Sequence, residues 1–228
     1  MSLASKYTKS LWSYNPLPTD CVLYLPLYNP GLHGLVFKSV DPFGHVHTRV
    51  GGLMDGDGFT TDGDDKITAA ATLLTAYPFT LSLWVALTTI NANRSHCLAI
   101  GNNAATNEYF MVGFGTTGLG AMSARNTQEF AIQGGSDLEG TGKHLLTAVF
   151  RAAQDRELYL DRATSLVTDT TNSVTLPTIN GWSLAAPVNA GTGGVLLTGV
   201  EGEAWVHAKG LNTGEITYLF DRTKGRHL

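Results

Sequence analysis

The stretch FTLSLWVALTT, residues 79 to 89, decides the fold class. Its apolar residues recur at every second position. Phe79, Leu81, Leu83, Val85 and Leu87 therefore share one side of an extended chain, with Thr80, Ser82, Trp84, Ala86 and Thr88 on the other. A helix would scatter the same residues around its circumference, so the pattern predicts a strand whose first set lies in a core. Lys143 to Arg151 repeats it, with His144, Leu146, Ala148 and Phe150 against Leu145, Thr147, Val149 and Arg151, and here both faces are partly apolar.

Working outward, Cys21, Leu23, Leu25 and Leu27 alternate with Val22, Tyr24 and Pro26, and the proline points to an edge position or a bulge. Shorter β-like runs occupy Glu108 to Phe114, Glu129 to Gln133, Glu157 to Leu160, Gly181 to Ala185, Val195 to Thr198 and Ala204 to Ala208, many separated by Gly- or Asx-rich turns. Helix is expected only as a turn or two at Ala69 to Ala76 and near the C-terminus. There Asn212 and Glu215 read as a capping box opening a helix through Ile216, Leu219 and Phe220, ahead of a basic, frayed DRTKGRHL. The chain reads as an all-β, two-sheet antiparallel sandwich over residues 20–228, preceded by an arm at residues 1–19. The arm's Leu11, Trp12 and Tyr14 suit packing on its own domain or on a neighbour.

Composition narrows the function classes. The 228 residues are 43% hydrophobic and only 15% charged, with net charge -4, which leaves no basic stripe for nucleic acid. No run of 18 apolar residues predicts a membrane helix, and the opening residues lack a secretory apolar segment. Cys21 and Cys97 have no metal-ligand spacing and read as buried thiols.

Several segments, taken in order, resemble the laminin-G-like branch of the concanavalin A-like lectin and glucanase superfamily. They are CVLYLPLY at 21–28 with the turn SVDPFGH at 39–45, GLMDGDGFTTDGDDKI at 52–67, FTLSLWV at 79–85, GKHLLTAVFRAAQDRELYLD at 142–161, WSLAAP at 182–187, and EGEAWVHAKGLNTGEI at 201–216. The resemblance implies a concanavalin A-like jelly roll. Two departures stand out: Asp161-Arg162-Ala163 replaces the usual Asp-Gly hairpin, and the acidic, arginine-bearing closing strand is reduced to Glu203-Ala204-Trp205-Val206-His207. Stand-alone sandwiches that open near Leu-Tyr-Leu-Pro and carry an Asp-x-x-Gly-His turn, matched here by Asp41-Pro42-Phe43-Gly44-His45, also resemble tailed-phage structural proteins.

Candidate chemistry is sparse. Glucanases place closely spaced carboxylates on one strand, and Asp155-Arg156-Glu157 and Glu201-Gly202-Glu203 are the nearest approaches to that signature. No Gly-x-Ser-x-Gly elbow and no His-Glu-x-x-His occurs among the seven histidines. Asp55, Asp57, Asp62, Asp64 and Asp65, interspersed with glycines, offer oxygen ligands for calcium, against the alternative of a solvated turn-forming loop. His45 and His47, with Asp41, suggest a zinc site; the alternative is two exposed strand histidines. Trp182 after Asn180, and Tyr28 beside Asn29, are the candidate sugar-binding groups, against the alternative that each closes the edge of the core. The expectation is a non-enzymatic virion structural or decoration protein on a phage capsid or tail, made in the host cytoplasm and homo-oligomeric, with no nucleic-acid or membrane partner. The alternative is a carbohydrate-binding, lectin-like module with glycan partners.

Overall fold

In the computed structural model, which describes residues 11–90, 93–162, 164–188 and 196–228, the alternating segments pair into two antiparallel sheets. The strands are β1 (Cys21–Pro26), β2 (Val36–Lys38), β3 (Val46–Val50), β4 (Leu53–Met54), β5 (Phe59–Asp62), β6 (Lys66–Ala69), β7 (Phe79–Leu87) and β8 (Ser95–Gly101). They continue as β9 (Glu108–Phe114), β10 (Gly120–Asn126), β11 (Gln128–Gly134), β12 (Lys143–Ala152), β13 (Asp155–Leu160), β14 (Thr164–Asp169), β15 (Gly181–Leu184) and β16 (Thr198–His207), followed by helix α1 (Thr213–Thr223). The first sheet runs β14-β13-β12-β7-β16-β5-β4 with β1 also on β16, and the second runs β11-β10-β9-β8-β15-β6-β3-β2.

The stripe read from the sequence is the core. Phe79, Leu81, Leu83, Val85 and Leu87 meet Leu98, Ile100, Phe110, Val112 and Met122 of the other sheet, and Phe79 packs on both Phe110 and Phe150. Each such side chain contributes about 1.5 to 3 kcal/mol on burial. Leu23, Leu25 and Leu27 join them, whereas Cys21 falls in a different cluster because the pairing of β1 with β16 shifts register between Cys21 and Leu23.

The reverse face of the first sheet is also buried. Trp84, Leu145 and Trp205 lie under Leu219 and Phe220 of α1, and Trp84 stacks on Phe220 while its Nε1 donates to Thr223 Oγ1 at 2.8 Å. The capping box forms as read: Asn212 Oδ1 accepts from the Glu215 amide and Glu215 reaches back to the Asn212 amide. Residues of the arm from Leu11 onward lie on this same face, where Trp12 meets the Tyr24 ring edge-on and the Leu17 carbonyl pairs with His207. Met1 to Ser10 lie outside the described residues, as does Val195.

Two expectations are corrected. Ala69 to Ala76 forms no helix: Ala69 pairs with Trp182 at the end of β6, and Leu73 and Leu74 are drawn into the core, so tertiary contacts override alanine's helix preference over so short a run. The C-terminus is not frayed. Glu203, fully buried, accepts from Tyr24 Oη at 2.6 Å and His227 Nε2 at 3.1 Å and pairs with Arg226 at 3.3 Å, pinning the last turn to β16. Burial pushes the His227 imidazole below its ordinary pKa despite the Glu203 carboxylate. Replacing Glu203 with Leu strands Arg226 and the Tyr24 hydroxyl; the expected loss is about 3 kcal/mol in urea unfolding, with new tryptic cleavage after Lys224. Unchanged stability would remove Glu203 as the anchor.

Candidate functional site

Because α1 and the arm cover the outer face of the first sheet, an extended ligand surface must lie on the second. The alternation there is clear. Phe110, Val112, Met122 and Ala124 point into the core, so Tyr109, Met111, Ser123 and Arg125 point outward, and Glu129 joins them by pairing with Arg125 across the β10–β11 hairpin.

These outward residues form one polar cluster. Glu129 Oε1 accepts from Ser123 Oγ at 2.8 Å and Tyr109 Oη at 3.1 Å, and also from the Arg94 guanidinium. Arg125 lies 4.0 Å from the other carboxylate oxygen and 6.0 Å from the Tyr109 ring centre. Burial alone would raise the Glu129 pKa; the Ser123 hydroxyl, with Arg94, Tyr109 and Arg125, outweighs it and holds the carboxyl below its ordinary value. The His96 ring, 5.0 Å from that of Tyr109, is pushed down to about 4 by burial and is neutral at neutral pH. Two guanidiniums thus face one carboxylate, which leaves one positive charge in excess, and the Arg125 Nε has no hydrogen-bond partner among the described residues. Arg94 and Arg125 remain about a third exposed, at 35% and 30% of their side chains, so a ligand can reach them. Beside the cluster, Ala99 and Met111 are fully buried against Val188.

The sequence-predicted sugar residues lie elsewhere. Trp182 is 1% exposed and packs in the core against His47, so it offers no platform. Asn180 ties the loop after β8 through Asn103 and Asn102, Tyr28 accepts from Arg226 at 2.9 Å, and Asn29 caps the turn at Pro30–Leu32. Nor do His45 and His47 converge. His47 points into the core between Phe37 and Trp182, and burial lowers its pKa to about 3; His45 contacts the Val22 carbonyl. The Asp41 carboxylate is occupied by the amides of Tyr24, Phe43 and Gly44, which leaves no zinc set.

The carboxylates nearest to a glucanase signature are equally unavailable. A bulge at Gly202 turns Glu201 into the core and Glu203 to the opposite face, and both are fully buried. Burial raises the Glu201 pKa well above its ordinary value, so it is a neutral acid that accepts from the Ala185 amide. Cys97, under the same burial and close to Glu201, is held as a thiol; neither it nor Cys21 is in a disulfide.

Of the five aspartates considered for calcium, Asp62, Asp64 and Asp65 bring carboxylate oxygens within 4.8 Å of one another, while Asp55 and Asp57 belong to a separate turn. Asp65 already serves the backbone, accepting from Gly52 N at 2.6 Å and Asp62 N at 3.0 Å. Gly51, at φ +66°, fits only because a Cβ there would meet the Asp65 carboxylate at 1.8 Å. Asp65→Ala is therefore expected to lower the melting temperature equally in calcium and in EDTA. A loss seen only with calcium would make Asp65 a metal ligand instead.

Comparison with known proteins places this geometry. The family described as the concanavalin A-like lectin/glucanases superfamily, laminin-G type, matches residues 61–217. The chain belongs to this superfamily. No curated protein matches it. Among solved structures it is similar to Trypanosoma rangeli sialidase in complex with 2,3-difluorosialic acid, with 16% identity and TM-score 0.71 over 90% of this chain and 33% of that one. It is similar also to the carbohydrate-binding module of the Ruminococcus gnavus IT-sialidase bound to alpha2,3 sialyllactose, with 14% identity and TM-score 0.54 over 64% of this chain and 83% of that one. A mutant of the Streptococcus pneumoniae NanB sialidase gives 15% identity and TM-score 0.56 over 66% and 26%. At these identities the likeness is one of fold, and the chain spans about a third of the T. rangeli enzyme. None of these comparisons supports a capsid or tail role.

The sequence reading passed over Arg94, Arg125 and Glu129. The available signal was two charges, Arg125 and Glu129, flanking a short hairpin in a chain that is only 15% charged.

Proposed function

We propose that this chain is a non-catalytic carbohydrate-binding module that takes acidic glycans on the outer face of its second sheet. The supporting observation is the Arg94–Glu129–Arg125 cluster, with its excess guanidinium on the face that α1 does not cover. A guanidinium offers two parallel N–H donors to a sugar carboxylate, a stronger and more directional contact than one with a neutral hydroxyl. Glu129, partly exposed between the two guanidiniums, adds an acceptor for sugar hydroxyls, and buried Ser123 and Tyr109 hold its carboxylate in place from below. The relatives bound to sialyllactose and to a sialic acid derivative hold ligands of this acidic class.

The same set favours binding without turnover. Hydrolysis through a tyrosine nucleophile could use the Tyr109–Glu129 hydrogen bond, but it needs a further acid for the leaving group. Among the described residues no second carboxylate hydrogen-bonds into the cluster. Burial and the Glu129 charge also raise the Tyr109 pKa, which disfavours the phenolate.

Calorimetric titration with α2,3-sialyllactose tests the reading. Arg125→Ala is expected to weaken binding about tenfold, neutral lactose to bind more weakly than the acidic sugar, and no free sialic acid to be released. Equal affinity of the variant and the parent, or of lactose and sialyllactose, would contradict it.

A further inference from the structure

The two ends of the described chain build a second concavity, on the opposite side of the sandwich from the polar cluster. It is a groove of about 630 Å³ between the arm and the exposed side of α1, lined by Tyr14, Asn15, Tyr218, Arg222 and Arg226 among others, and is of a size that holds a small ligand. Tyr14 and Tyr218, 50% and 46% exposed, present ring surface at the lip of the groove. The Arg222 guanidinium lies 5.8 Å from the Tyr218 ring centre and makes no ion pair among the described residues. Asp221, the carboxylate on the same wall, is already paired with Arg162 at 3.0 Å and Lys224 at 2.7 Å. Asn15, 6% exposed, is committed to the arm's own fold: its Oδ1 accepts from the Leu17 amide at 3.0 Å and its side chain hydrogen-bonds the Cys21 thiol.

The walls are fixed rather than adaptable. Arg226 bridges them, donating to the Tyr14 carbonyl and to Tyr28 Oη while it pairs with buried Glu203. Trp84, stacked on Phe220 and bonded to Thr223, holds α1 against the sheet. A preformed groove spends little of a ligand's binding free energy on ordering its own side chains. Aromatic rings at its lip suit the apolar faces of a sugar, and an uncommitted guanidinium suits its carboxylate.

We infer that this groove is a second acidic-saccharide site, which would make the module bivalent. The inference rests on Tyr14, Tyr218 and Arg222 and is separate from the sheet-face reading, so either can fail alone. The test is amide chemical-shift mapping of the full chain titrated with α2,3-sialyllactose, and with lactose as the neutral probe. Resonances of Tyr14, Tyr218 and Arg222 are expected to shift with sialyllactose. Arg222→Ala should weaken that response about tenfold while leaving shifts at Ser123 and Glu129 unchanged. Groove shifts that survive Arg125→Ala would sustain this site even if the sheet-face site failed. The inference is overturned if the groove stays silent, if its response is unaltered by Arg222→Ala, or if lactose produces the same shifts.

Discussion

A two-sheet sandwich buries one face of each sheet and must still dispose of the two outer faces, and in this chain Trp84 settles which is closed. It sits on the back of the central strand β7, fully buried, stacked on Phe220 and hydrogen-bonded to Thr223. That contact lays α1 over the first sheet, while on the second sheet's outer face Arg94, Arg125 and Glu129 keep about a third of their side chains exposed. Polar side chains that lose water need replacement partners, which Glu203 finds in Tyr24, Arg226 and His227 and Glu129 finds in Ser123, Tyr109 and Arg94.

The same division explains the two central carboxylates of β16. An extra residue at Gly202 shifts the strand's register, so neighbours that would otherwise share a side diverge. Glu201 goes inward and becomes a neutral acid, while Glu203 goes outward beneath the chain terminus and gathers Tyr24, Arg226 and His227. Glu203 is thus a structural anchor, and it also braces one wall of the groove between the arm and α1.

What could be read in the sequence follows from periodicity. The alternation of β7, β12 and β1 was plain because in each a continuous stripe faces the core, and the capping box at Asn212 was plain because its two residues are close in sequence. Strand β8 was missed: all of Ser95–Gly101 is buried on both faces, and its polar residues, Ser95 and His96, are adjacent rather than alternating, so nothing marks its period. The turn at Asp161 needed no glycine, since aspartate tolerates the positive φ of 54° found there. The site was harder to see than the fold. Trp182 and His47 look like binding groups by residue type, and only three-dimensional packing shows them filling the core against each other. Arg94 lies just before β8 and Glu129 on β11, and nothing local announces that they meet.

The most direct test of the account is a crystal structure of the chain soaked with α2,3-sialyllactose. The account predicts sugar density on the outer face of the second sheet, with the carboxylate against the Arg94 and Arg125 guanidiniums and Glu129 turned to the sugar hydroxyls. Density confined to other surfaces, with the Arg94–Glu129–Arg125 cluster unvisited, would contradict it.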